Sequence, residues 1–249
     1  MTAKPNNRNL IRCLTVIAFF SFCGITFSQE SPEEIFAKGE EALKNKNYQQ
    51  AVTQFSNYIK AKPDEPAGYF ERGNAYYGAE NYKSALEDYL IAVKMEYYNS
   101  ELYLNLGNTY ARLDKYHDAI SSYKKALDID PNYREAAASL AGLYYKLGEY
   151  RFAEDYYLLV ADMEPNDESS YANLGKNYMT MKHYDDAIDN YNKAIKLNPG
   201  NSDYYLALGE IYYILKDTSK AMANLTKSID LNSTQTLAYY YLAKLNTNL

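Results

Sequence analysis

The sequence predicts an all-α solenoid, a row of helical hairpins stacked side by side, and three observations carry that prediction. Alanine recurs every 34 residues, at Ala51, Ala85, Ala119, Ala153, Ala187 and Ala221. Twelve residues before each stands a small residue (Gly39, Gly73, Gly107, Ala141, Gly175, Gly209), and four after it a large one (Phe55, Tyr89, Tyr123, Tyr157, Tyr191, Leu225). Helix-breaking residues are scarce, with 7 prolines and 11 glycines beside 30 tyrosines. A fixed period of this length marks a repeat array whose units bury their apolar faces on one another.

The N-terminus precedes the repeats and differs from them. Lys4, Arg8 and Arg12 are followed by an apolar run from Cys13 to Phe27, then by Ser28. A basic start, an apolar stretch and small residues at Thr26 and Ser28 predict a secretory signal peptide over residues 1–28, cleaved after Ser28. The run spans 15 residues, short of the roughly 20 that cross a bilayer; a retained membrane anchor is the alternative. A lipoprotein reading fails because the bulky Phe22 precedes Cys23. Both cysteines, Cys13 and Cys23, lie in this segment, so the mature chain would carry neither disulfides nor thiolate metal sites. It would be exported, periplasmic or secreted. Loss of the leader's three cations leaves 23 basic against 32 acidic residues, a net charge of −9. That balance excludes a nucleic-acid partner, whose phosphates need a basic surface.

Each repeat reads as two helices. In the third, Tyr103, Leu106, Gly107 and Tyr110 line one face of a first helix, and Leu113-Asp114-Lys115 forms a polar turn. Tyr116, Ala119, Ile120, Tyr123 and Ala126 mark the inner face of a second helix, which Pro131 stops. Glycine inside a helix costs about 1 kcal/mol relative to alanine, so its recurrence predicts close helix–helix approach, with the recurrent alanine as the matching small residue.

These features resemble the tetratricopeptide repeat family: leucine-glycine at positions seven and eight of the unit, tyrosine at eleven, alanine at twenty, an aromatic at twenty-four and proline at thirty-two. Units span residues 32–65, 66–99, 100–133, 134–167, 168–201 and 202–235, and a half unit, 236–249, repeats the first helix. The resemblance implies thirteen antiparallel helices in a right-handed superhelix. Departures are Ile35, Lys38 and Ala42 in the first unit and Thr218, Ser228 and Ser233 in the sixth. Tyr97 replaces the proline of the second unit, which predicts a slightly extended helix there.

No catalytic constellation stands out. His117 and His183 fall at the turns between helices, without acids or cysteines at metal-ligand spacing. There is no phosphate loop and no nucleophile elbow. No enzyme, cofactor or metal is expected.

The resemblance implies a concave groove lined by the first helices, at positions two, five, six, nine, twelve and thirteen. These give Phe70, Asn74 and Tyr77; Leu104, Asn105, Asn108 and Arg112; Glu135, Ser139, Tyr145 and Lys146; Asn173, Lys176 and Met179; and Leu206, Glu210 and Tyr213. Tyr77, Tyr145 and Tyr213 recur at position twelve, outside the packing positions, as rigid amphipathic contacts for a partner. Asn74, Asn105, Asn108 and Asn173 offer amides to the backbone of an extended peptide. The family's carboxylate-binding groove for chaperone tails is not matched: Asn74 and Asn105 fit it, but Phe70, Glu135 and Ser139 replace its cations. Two functions follow. One is an exported scaffold that holds a protein or peptide in its groove. The other is a self-assembling or envelope-complex subunit that uses Leu237, Tyr240, Tyr241 and Leu245 of the final helix.

Overall fold

A computed structural model describes residues 30–247; the expected signal peptide lies outside them. The described residues form thirteen helices and no strand. The first helices of the units are α1 (Pro32–Lys44), α3 (Pro66–Gly78), α5 (Ser100–Arg112), α7 (Arg134–Lys146), α9 (Glu168–Thr180) and α11 (Ser202–Ile214). The second helices are α2 (Tyr48–Ala61), α4 (Tyr82–Lys94), α6 (Tyr116–Ile129), α8 (Tyr150–Met163), α10 (Tyr184–Leu197) and α12 (Thr218–Leu231). A last helix, α13 (Thr236–Thr247), packs on α11 and α12. Each helix packs on its sequence neighbours, and the chain is a solenoid of antiparallel pairs.

The turn inside each unit is built the same way six times. The residue at position fifteen is left-handed: Lys46, Glu80, Asp114, Gly148, Lys182 and Lys216 have φ between 58 and 81°. The next residue's N–H reaches back to the carbonyl of position eleven, as from Asn81 to Tyr76 (2.9 Å) and from Lys115 to Tyr110 (2.9 Å). This closes the first helix with a six-to-one bond, and the same residue begins the second helix. Only unit four uses glycine there, although L-residues adopt this conformation at a penalty of about 1 kcal/mol. Asn99, Asp167 and Asn201 cap later first helices, and Ser31 and Glu34 form a reciprocal capping box on α1.

The recurrent alanines have no accessible surface in any unit. The atoms nearest the recurrent glycines belong to a different residue. A methyl group on Gly107 would lie 2.5 Å from the Tyr123 ring, and one on Gly73 would lie 2.6 Å from that of Tyr89. Gly39 meets Phe55, Gly175 meets Tyr191 and Gly209 meets Leu225 in the same way. The large side chain at position twenty-four is the nearest neighbour of the glycine in each of these five units, so its contact with the first helix limits the spacing within a unit.

Two further departures have local causes. Helix α4 does not run on through Tyr97 but ends at Lys94, one residue shorter than its counterparts. Glu96 turns left-handed (φ 60°), and the Tyr97 N–H bonds the Ala92 carbonyl at 3.1 Å. The Tyr97 ring then packs 5.6 Å from Phe70 and occupies space a proline would leave open. In unit six, α12 packs fully despite its substitutions, with Ala221 and Leu225 buried and the Ser228 hydroxyl donating to the Ser202 carbonyl at 2.9 Å.

Unit two carries a feature that the repeat pattern does not foretell. Arg72 stands at position seven, where units three to six have Leu106, Leu140, Leu174 and Leu208. Its Nε and Nη2 each lie 2.7 Å from a carboxylate oxygen of Asp88, which is 3% exposed. Tyr69 and Tyr76 flank the guanidinium at 5.7 and 5.9 Å, and Nη1 reaches Ser56. A buried charge is tolerated only when paired and hydrogen-bonded, and here both conditions hold.

Candidate functional site

Successive first helices touch: α1 with α3, α3 with α5, α5 with α7, α9 with α11 and α11 with α13. Second helices make no comparable contact with one another. The stack is therefore tighter along the first helices, which line the inside of its curve, and the residues predicted for the groove divide there into buried, internally bonded and open groups.

Phe70 does not line the surface. It is 3% exposed, wedged between Tyr89 (6.1 Å) and Tyr97 (5.6 Å), and Leu104 is buried beside it in the next unit. Tyr77, Tyr145 and Tyr213, expected outside the packing, are half-buried and packed. Tyr77 meets the edge of Tyr82 at 5.3 Å and Tyr145 that of Tyr150 at 5.4 Å. Unit six has Thr218 in place of that second tyrosine, and Tyr213 instead meets Tyr241 of α13 at 5.1 Å.

The amides are partly engaged. The Asn74 Oδ1 accepts both the Tyr89 hydroxyl (2.7 Å) and the Asn105 amide (3.0 Å), and its Nδ2 donates to Glu71 (3.2 Å). Asn108 accepts the Tyr123 hydroxyl at 2.8 Å. The asparagines at position nine thus hold the hydroxyls of the wedge tyrosines, and Asn105 at position six joins unit three to unit two. Burial pushes the Tyr89 and Tyr123 hydroxyls well above the ordinary phenol range, so they act as neutral donors. Among the described residues no side-chain hydrogen bond engages Asn105 Oδ1 or Asn108 Nδ2, and Asn173 is exposed.

The predicted cations staple units through tyrosine faces. Arg112 lies 5.6 Å from the Tyr82 ring, and the neighbouring Tyr77 hydroxyl helps to raise its pKa. The Lys146 Nζ lies 4.6 Å from the Tyr116 centroid and donates to its hydroxyl at 3.0 Å. Lys176 stands 5.2 Å over Tyr145, whose hydroxyl pairs with Thr180 at 3.0 Å. Each cation reaches back one unit, a contact invisible to a pattern read within units. At the opposite end of the face, burial raises the Glu71 carboxyl above the usual range, and nearby Glu101 and Glu40 push it further.

Between units five and six the face opens into a cavity of about 380 Å³. Met179, Leu206, Ala207 and Tyr191 supply its apolar lining, with Lys176 on one side and Asp203 and Glu210 on the other. It combines an apolar floor with charges of both signs. Among the described residues, no cluster of three or more His, Cys, Asp and Glu is arranged to hold a metal, and no helix is long and apolar enough to cross a membrane.

The face expected for self-assembly also divides. Leu237 is 55% exposed and Tyr240 49%, but Leu245 is buried at 7%. Tyr241 turns inward and donates to Glu210 at 2.9 Å.

Tetratricopeptide repeat family models match residues 36–100, 100–133, 136–169, 169–201 and 190–223. Among curated proteins none matches the chain. Among solved structures, YrrB, described as a TPR protein with an unusual peptide-binding site, superposes with a TM-score of 0.67 at 22% identity, over 75% of this chain and 96% of that one. PilF of Pseudomonas aeruginosa gives 0.68 at 15% identity, over 86% and 97%. A tetratricopeptide repeat protein of Parabacteroides merdae gives 0.67 at 18% identity, over 87% and 86%. At these identities the likeness concerns the fold.

Proposed function

Because the chain belongs to the tetratricopeptide repeat family, whose fold is typically a protein-interaction scaffold, we propose that it is a non-catalytic scaffold holding a partner protein or peptide along its first helices. The observation that carries this reading is the cavity between units five and six. It brings Tyr145, Lys176, Met179, Leu206 and Glu210 from three units to one place. A partner side chain seated there would bury apolar surface while its neighbours meet charges of either sign. Asn105, Asn108 and Asn173 supply amide capacity further along the face.

The test places a photoreactive residue at Met179, at Leu206 and, on the exposed second-helix surface, at Lys125, in the intact cell. The same protein should be captured from the first two positions and lost when Lys176 is changed to Glu. Capture of that protein from Lys125 alone would refute the groove reading. We also read residues 1–28 as a cleaved export signal. N-terminal sequencing of the protein from its native cell should then begin at Gln29, and an intact Met1 or Thr2 would favour the anchor instead.

A second reading, self-association, is favoured by the exposed Leu237, Tyr239 and Tyr240 on α13. Sedimentation of the parent and of a Leu237→Ser/Tyr240→Ser variant separates the two functions: monomers in both cases remove self-association.

A further inference from the structure

The six units provide an internal comparison, and one unit departs from it on the outside of the solenoid. At position nineteen, five units carry a polar residue (Gln50, Ser84, Asp118, Asp186, Lys220), whereas unit four carries Phe152. At position twenty-three, five carry Gln54, Asp88, Ser122, Asn190 and Asn224, whereas unit four carries Tyr156. Both departures lie on α8, four residues apart, and so share one face of that helix.

Phe152 is 53% exposed, so it is not held as core. It stacks on Tyr144 (5.2 Å, 30°), whose other neighbour is Tyr156 (5.9 Å, 14°). Since five units fold without an aromatic at either position, packing does not require this stack. Phe152 also divides two adjoining depressions. One, of about 640 Å³, is lined by Ile120, Tyr144 and Leu147 and rimmed by Asp114, Asp118 and Glu149. The other, of about 750 Å³, shares Glu149 and Phe152 and adds Glu154 and Asp155.

The basic residues on these rims are few. Lys115 lies 5.9 Å from the Tyr110 ring of its own unit, Lys124 is held 5.8 Å over the Tyr144 ring of the ridge, and Arg151 stands among the carboxylates of the second depression; Asp114, Asp118, Glu149, Glu154 and Asp155 outnumber them. The site is therefore an aromatic ridge inside a mainly acidic rim, built from the turns, the second helices and Tyr144 near the end of α7, and it shares no residue with the cavity between units five and six. A second copy would bring the same acidic rim against this one, which electrostatic complementarity disfavours.

We propose that the Phe152 ridge is a second protein-docking site. It takes a segment of a partner that presents an aromatic or branched aliphatic side chain flanked by lysine or arginine. The apolar side chain enters a depression beside Phe152, and the flanking cations meet Asp118, Glu149 and Asp155. An exposed rigid aromatic surrounded by energetically minor polar contacts is the usual form of a binding hot spot.

The experiment selects a phage-displayed random dodecapeptide library on the full chain and titrates the best synthetic peptide by fluorescence anisotropy. Enriched peptides should carry the apolar residue with a neighbouring lysine or arginine. Phe152→Ser and Phe152→Gln, which introduce residues that units two and one already carry there, should each weaken binding about tenfold or more, with helicity unchanged. Asp118→Lys/Glu149→Lys should weaken it as well, and added salt should do the same to the parent. The proposal is overturned if no peptide is enriched over an unrelated helical protein, or if Phe152→Ser leaves affinity unchanged. A peptide displaced by Lys176→Glu but not by Phe152→Ser belongs to the first-helix face and also overturns it. So does a sedimenting dimer that Phe152→Ser dissolves, because it assigns the ridge to a second copy.

Discussion

Changing Arg72 to Leu gives unit two the residue that units three to six carry at position seven, and a repeat-consensus argument expects stabilisation. The contacts predict the reverse. Asp88 is 3% exposed, and its two carboxylate oxygens each meet a guanidinium nitrogen at 2.7 Å. Removing one member of such a pair leaves a buried, uncompensated charge and costs about 3–5 kcal/mol. The Arg72 side chain is 20% exposed, which admits some water, so the lower end applies: about 3 kcal/mol. The additional change Asp88→Asn removes that charge. In units five and six, Asn190 and Asn224 donate to the carbonyl four residues earlier, at 2.8 and 2.9 Å, so the new amide has a bond waiting at Ser84. The double variant should return to within about 1 kcal/mol of the parent, and the single change Asp88→Asn should fall between. Urea unfolding followed by circular dichroism at 222 nm gives the three differences. Hydrogen exchange on α3 and α4 localises the loss if the array unfolds in segments. An Arg72→Leu single variant as stable as the parent, or a double variant no better than that single one, would refute the reasoning.

Three other outcomes follow from named contacts. Gly107→Ala should destabilise by about 1 kcal/mol despite its better helix propensity, because the 2.5 Å approach to a buried Tyr123 forces overpacking; a gain in melting temperature would contradict this. Asp167 is opposed by burial, yet Ser169, Ser170 and Arg134 bind its charged form and hold its carboxyl down at about 2. Its stabilisation, on the order of 2 kcal/mol, is complete above the unfolded pKa near 4 and is lost as pH falls through 2. Asp167→Asn should therefore flatten the acid limb of stability between about pH 4 and 2 without altering it in shape above pH 6, as acid titrations of both proteins would show. Lys216→Gly, at φ 61°, should stabilise by up to about 1 kcal/mol, since Gly148 already fills the same left-handed position in unit four; chemical denaturation measures the difference, and a loss would contradict it.

Much of the fold could be read in the chain because the repeat is local. The spacing of Ala119, Tyr123 and Gly107 fixes which faces of two neighbouring helices are apolar, and a 34-residue period can bury those faces only by stacking. The packing partner was not legible at that level. Both a small alanine and a large ring stand opposite the glycine in sequence, and only coordinates place the Tyr123 ring on the Gly107 backbone.

The candidate surface was less legible for the same reason carried one step further. A position in the unit tells which way a side chain leaves its helix, but not what the next unit brings to it. Asn74 leaves toward the groove and is engaged by Tyr89 and Asn105; Lys146 is met by Tyr116 of the preceding unit; Tyr213 turns to Tyr241 because Thr218 leaves it no ring in its own unit. The sequence alone determined the helices, their order and the family. Contacts across the two helices of a unit and between neighbouring units decided which polar and aromatic groups stay open to a partner, since they depend on how side chains meet in three dimensions and not on their positions in the repeat.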